Sequence, residues 1–142
     1  MSSRPNLQTL QSLSYAGAAA ALEASLAEAT RLGVRVNVAV VDRAGWLLAF
    51  ARMDGAFAMS GSIAQDKART VCGFAGIPTD DLYAAIAGEP PVRDGIAGRA
   101  EVAAFAGGVP VLIDGELVGA IGVSGASAEQ DKQVAAAGAA AV

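Results

Sequence analysis

The chain contains no histidine, which removes the commonest general base near neutral pH, the commonest metal ligand and the commonest haem ligand. Any acid-base chemistry therefore falls to carboxylates, to Lys67, or to Tyr15 and Tyr83. Arg52, Asp54 and Gly55 belong to an Arg-Met-Asp-Gly corner where an apolar run ends. A charged pair beside a glycine at a strand end is a place where a ligand can approach. The alternative is an ion pair that only fixes the turn. Lys67 lies about two helical turns beyond Ser60, and its cation either faces a ligand carboxylate or is solvated. Ser60 itself is either a helix cap or a pocket residue. Gly107 and Gly108 precede a strand that includes Pro110, and the amides of such a turn could hold an anion. The Lys and Ser/Thr of a Walker loop are missing there. Glu101 is the carboxylate on the long loop that leads into that glycine pair. Ser124 has neither a histidine to activate it nor a GxSxG elbow. Asp131 reads as the complement of a helix N-terminus or as a contact with a partner subunit. No set of metal ligands is evident.

These residues need elements to position them. Ala, Leu and Glu from Ser14 to Leu32 predict a helix that Gly33 stops. Val34, Val36, Val38 and Val40 then alternate at strand period, Asp42 to Gly45 supplies a turn, and Trp46 to Met53 is apolar again. A helix follows from about Ser60 to Phe74, then a short one capped by Thr79 and running to about Ala87. Gly88 to Gly108 reads as mostly loop with a short helical turn. Val109 to Ile113 and Glu116 to Val123 flank Asp114-Gly115 as a second hairpin, and a final helix begins near Ala126 and is weakened by Gly138. The expected fold is α/β in the α+β sense: an antiparallel sheet of about four or five strands in two hairpins, with helices packed on its faces. In that arrangement the Arg52 corner and the glycine pair face a common cavity under a covering helix.

The bulk composition limits the partners. At 142 residues the chain is one domain, 1–142. Hydrophobic residues make up 54% and charged residues 17%, with a mean hydropathy of +0.44. So apolar a small domain is expected to cover surface against its own copies. No apolar run reaches the roughly eighteen residues of a membrane span. The N-terminal stretch lacks the apolar block of a signal peptide. Cys72, a lone thiol, reads as a small buried apolar residue and fits a reducing compartment, so the cytoplasm is expected. A net charge of −4 argues against nucleic acid, leaving small molecules and further copies of the chain.

Four blocks carry a family resemblance: VAVVDRAGWLLAFARMDGA at Val38 to Ala56, SGSIAQDKA at Ser60 to Ala68, GGVPVLIDGELVGAIGVSG at Gly107 to Gly125, and QDKQVAAAGAAA at Gln130 to Ala141. In this order they resemble the GlcG/HbpS-like, or haem-degrading domain, family over nearly the whole chain. The resemblance implies a profilin-like outline, assembly into oligomers with octamers frequent, and pockets near subunit contacts where some members bind haem or act on small organic acids. It also lends support to a ligand role for Lys67. The reading that follows is a small-molecule binding protein with haem or a related tetrapyrrole as candidate ligand. Without histidine, iron ligation would fall to Tyr, Met, Cys72 or a weaker oxygen ligand, with Met53 and Met59 beside the corner. One alternative is a cofactor-independent enzyme acting on a small carboxylic acid by hydrolysis, tautomerisation or deamination. Arg52 or Lys67 would then bind the carboxylate and Asp54 or Glu101 would move a proton. Another is a structural accessory subunit.

Overall fold

A computed structural model describes residues 4–142; residues 1–3, the start of the stretch that does not read as a signal peptide, lie outside it. Helix α1 spans Tyr15–Leu32, with Ser14 Oγ accepting from the Gly17 amide at 3.1 Å and Gly33 closing the helix in the left-handed conformation. Strands β1 (Asn37–Asp42) and β2 (Leu47–Arg52) form the first hairpin. Its turn is held by Asp42 Oδ1, which accepts from the Ala44 and Trp46 amides at 3.0 Å each. Three helices follow, α2 (Ser60–Gly73), α3 (Thr79–Ile86) and α4 (Pro90–Ala97), then β3 (Gly108–Ile113), β4 (Glu116–Ser124) and α5 (Ala128–Ala140). The four strands are antiparallel in the order β2-β1-β4-β3, so the two hairpins join through β1 and β4.

The period of two divides the sheet between two layers. Val38, Val40, Ile121 and Val123 pack with α1 and α5 on one face. Val41 and Ala120 meet Ala68, Val71 and Cys72 of α2 on the other. Helix α2 lies very close to the sheet, because a Cβ at Gly122 would collide with the Ala64 carbonyl oxygen. Only a bare α-carbon in the middle of β4 allows that approach.

The structure corrects three expectations. The segment from Gly88 to Gly108 contains a whole helix, α4, started by Pro90 and Pro91 at positions where no amide donor is required. Thr79 does not cap α3: its hydroxyl donates to the Phe105 carbonyl and accepts from the Gly108 amide, tying α3 to the entry of β3. Gly138 does not weaken α5, which continues through it to Ala140; a Cβ there would collide with Ser25 Oγ of α1.

Both outer strands have a free edge. Strand β3 carries Pro110, which has no amide to donate and is tolerated at an edge. Strand β2 has no proline, and Trp46 beside it is 74% exposed. Among the described residues no helix is long and apolar enough to cross a membrane.

Gly122→Ala should push α2 from the sheet and cost about 1–3 kcal/mol of overpacking, measured as a lowered denaturation midpoint with an unchanged slope.

Candidate functional site

The register gathers polar side chains at one end of the sheet. Asn37, the first residue of β1, stands opposite Arg52 of β2 on one side and opposite Ser124 of β4 on the other. Opposed residues share a face, and the Asn37 side chain lies against Gly61 in the first turn of α2. Asn37 is fully buried; its Nδ2 donates to the Phe57 carbonyl at 2.9 Å, while Oδ1 has no partner among the described residues. Ser60 and Ser124 are more than nine-tenths buried, and their hydroxyls make no hydrogen bond within the described residues.

The corner itself opens outward. Leu26, Arg35, Ala51, Arg52, Met53 and Asp54 line a recess of about 490 Å³. Arg35, Arg52 and Asp54 are exposed and form no ion pair among the described residues, so the turn is not fixed by an Arg-Asp bridge. Gly55 sits under the Arg35 guanidinium, where a Cβ would collide with it.

Gly107 and Gly108 lie at the same end of the sheet but at the opposite edge, about three strand spacings or ~14 Å away. They do not line the corner recess, so the expected common cavity is not formed. A Cβ at Gly107 would lie 2.7 Å from Lys67 Nζ, and one at Gly108 would meet Thr79 and the Lys67 carbonyl. The pair makes room for neighbouring chain, and the Gly108 amide is already donated to Thr79. Glu101 is remote from both: it pairs with Arg99 at 3.2 Å, is 59% exposed, and borders a separate recess with Arg69 and Phe74. Its own backbone amide and Arg99 lower its pKa.

Lys67 is neither solvated nor open to a ligand carboxylate. It is 1% exposed and directs its ammonium to the Val123 carbonyl at 2.8 Å, to Asp131 Oδ2 at 3.3 Å, and to the face of Phe105, 4.6 Å from the ring centroid. Asp131 in turn accepts from the Ala126 amide at 2.9 Å, just before α5. Burial pulls the lysine pKa down and lifts that of the aspartate, and their mutual attraction opposes both shifts. Cys72 is buried with Sγ against the Asp42 carbonyl, and burial raises its thiol to about 11, far from the range of a reactive thiolate.

Sequence reasoning named Arg52, Asp54, Gly55, Ser60 and Lys67 but passed over Asn37 and Arg35. Asn37 had a visible signal, a lone amide inside a β-branched run.

The family model for the haem-degrading protein HbpS-like family matches residues 13–140. The chain belongs to the HbpS-like family. It is 36% identical to protein GlcG of Escherichia coli K12 over 118 residues, covering 83% of this chain and 85% of that one. A Streptomyces reticuli HbpS double mutant superposes with a TM-score of 0.84 at 36% identity, over 99% of this chain and 94% of that one. PduOC, solved as a complex with heme, superposes with a TM-score of 0.83 at 30% identity, over 92% and 95%.

Two measurements check the buried chemistry. Asp131→Leu or Lys67→Met alone should each cost about 3–5 kcal/mol by stranding a buried charge, and the double replacement less than either, read from denaturant melts. Cys72 should stay unlabelled by a thiol reagent at pH 8 in the native state and react at once on unfolding, because only about one thiol in a thousand is ionised there.

Proposed function

We propose that the chain is a cytoplasmic small-molecule binding protein that anchors ligand carboxylates at the Arg52 corner, near a contact between copies. The observation that carries this reading is the presence of two guanidiniums, Arg35 and Arg52, on one recess with no ion-pair partner among the described residues. Guanidinium is the side chain best matched to a carboxylate, through two parallel hydrogen bonds. Beyond the corner, Phe57 is 70% exposed and Met59 79% exposed. They are apolar surface of the kind that protein contacts or flat ligands cover.

Haem or a related tetrapyrrole is the candidate that the relationship to PduOC supports, since that relative was solved with heme. The residues present fit its periphery: guanidiniums for two carboxylates, and an aromatic ring and a thioether for an apolar face. They do not offer an imidazole, so a bound iron would have to take a thioether such as that of Met59, or an oxygen. A small organic acid is the second reading, favoured because an arginine pair needs only the carboxylate.

Titration with haemin should give saturable binding that the Arg35→Ala, Arg52→Ala double variant weakens about ten-fold or more, since hydrogen bonds to charged groups are the strong ones. Met59→Ala should alter the Soret band without abolishing binding. Unsaturable uptake, unaffected by the arginines, would remove haem. Light scattering after size exclusion should show more than one copy per particle, and a monomer at micromolar concentration would remove the contact between copies.

A further inference from the structure

We propose that the sheet end beneath the first turn of α2 is an inner subsite for a small carboxylate that carries a hydrogen-bond donor next to its carboxyl group. This rests on the reading that Arg52 anchors a carboxylate, and it adds the part of the ligand that lies beyond it.

Arg52, Asn37 and Ser124 form one row across three strands on a single face, with neighbouring Cβ atoms roughly 5 Å apart. The amide of Asn37 cannot be turned round, because Nδ2 already donates to the Phe57 carbonyl and a flip would set two oxygens against each other. Oδ1 is therefore fixed as an acceptor, and it is buried without a donor. Interior acceptors are almost always paired, so this atom marks a position where an N–H or O–H belongs. A carboxylate alone cannot supply one.

The space around that atom depends on one missing side chain. A Cβ at Gly61 would lie 3.4 Å from Asn37 Oδ1 and 3.3 Å from Phe50 Cζ. Phe50 covers this gap from the free edge of the sheet and is 37% exposed, so its ring can turn outward and yield its place. The hydroxyls of Ser60 and Ser124, both unpartnered among the described residues and in residues more than nine-tenths buried, are free to donate to the oxygen of a ligand hydroxyl. A 2-hydroxycarboxylate carries both of the groups these residues call for: a carboxylate for the guanidinium and a hydroxyl for Oδ1. A site built to pair with a hydroxyl rejects the analogue that lacks it, because its own polar atom is then left unpaired.

The test is an NMR titration of the full chain with lactate and with propionate, which differ by that hydroxyl alone. Lactate should bind about ten-fold or more tightly than propionate. Gly61→Ala, which leaves Asn37 and its bond to Phe57 in place, should abolish the preference while keeping propionate affinity. Arg52→Ala should weaken both acids alike. Should Gly61→Ala fail to fold, Ser124→Ala should lower lactate affinity about three-fold or more with propionate unchanged. Equal affinity for the two acids in the native chain would overturn the inner subsite while leaving Arg52 as an anchor. Failure of both acids to bind would overturn the anchor as well. A lactate-soaked crystal with only water at Asn37 Oδ1 would also overturn the subsite.

Discussion

The ammonium of Lys67 is the constraint around which one end of this fold is organised. Taking a cation out of water costs several kcal/mol even after relaxation, so Lys67 remains buried only if each of its donors finds a partner. It finds three of different kinds: the Val123 carbonyl of β4, the Asp131 carboxylate of α5, and the face of Phe105. Because α2 and α5 cover opposite faces of the sheet, the contact passes round the end of β4 and ties both layers together. It also dictates Gly107, whose missing side chain leaves room for the lysine stem and tip.

With that end fixed, the polar row beside it is held in register. Asn37 and Ser124 are kept opposite each other by the β1–β4 ladder. Their height under α2 is set by the contact of Gly122 with the Ala64 backbone. The site is thus built mostly from strand and helix positions, which hold geometry better than loops. The Arg52 corner, by contrast, stands at a free edge where three charged side chains have no ion-pair partner among the described residues. One part of the region is buried and the other is open and charged, a combination suited to orienting a small polar molecule.

Much of the architecture was legible in the sequence because it depends on local signals. The valines of β1, the stop at Gly33 and the Asp42 and Asp114-Gly115 turns each act within a few residues, and the elements formed beside those signals, although β1 begins at Asn37, after Val34 and Val36. Helix α4 was hidden because two adjacent prolines usually signal a loop, although they are compatible with a first helical turn. The site was legible only in part. Lys67 could be seen as a cation on a helix, but its partner lies 64 residues away, and nothing local in one sequence couples the two. The separation of the Arg52 corner from Gly107 and Gly108 follows from strand order, which periodicity does not encode. Asn37 was readable as a polar residue among valines, but its unpaired oxygen depends on where Phe57 and Gly61 come to rest.

The two rims of the sheet are chemically unequal, and this bears on growth by stacking. The β3 rim carries a residue that cannot donate to an incoming strand, whereas the β2 rim carries none. Two molecules that met rim to rim through β2 would present only their proline-bearing sides to any third. Such pairing would cover the bare rim, and the proline on each outer rim would remove one donor from the ladder that a further strand needs.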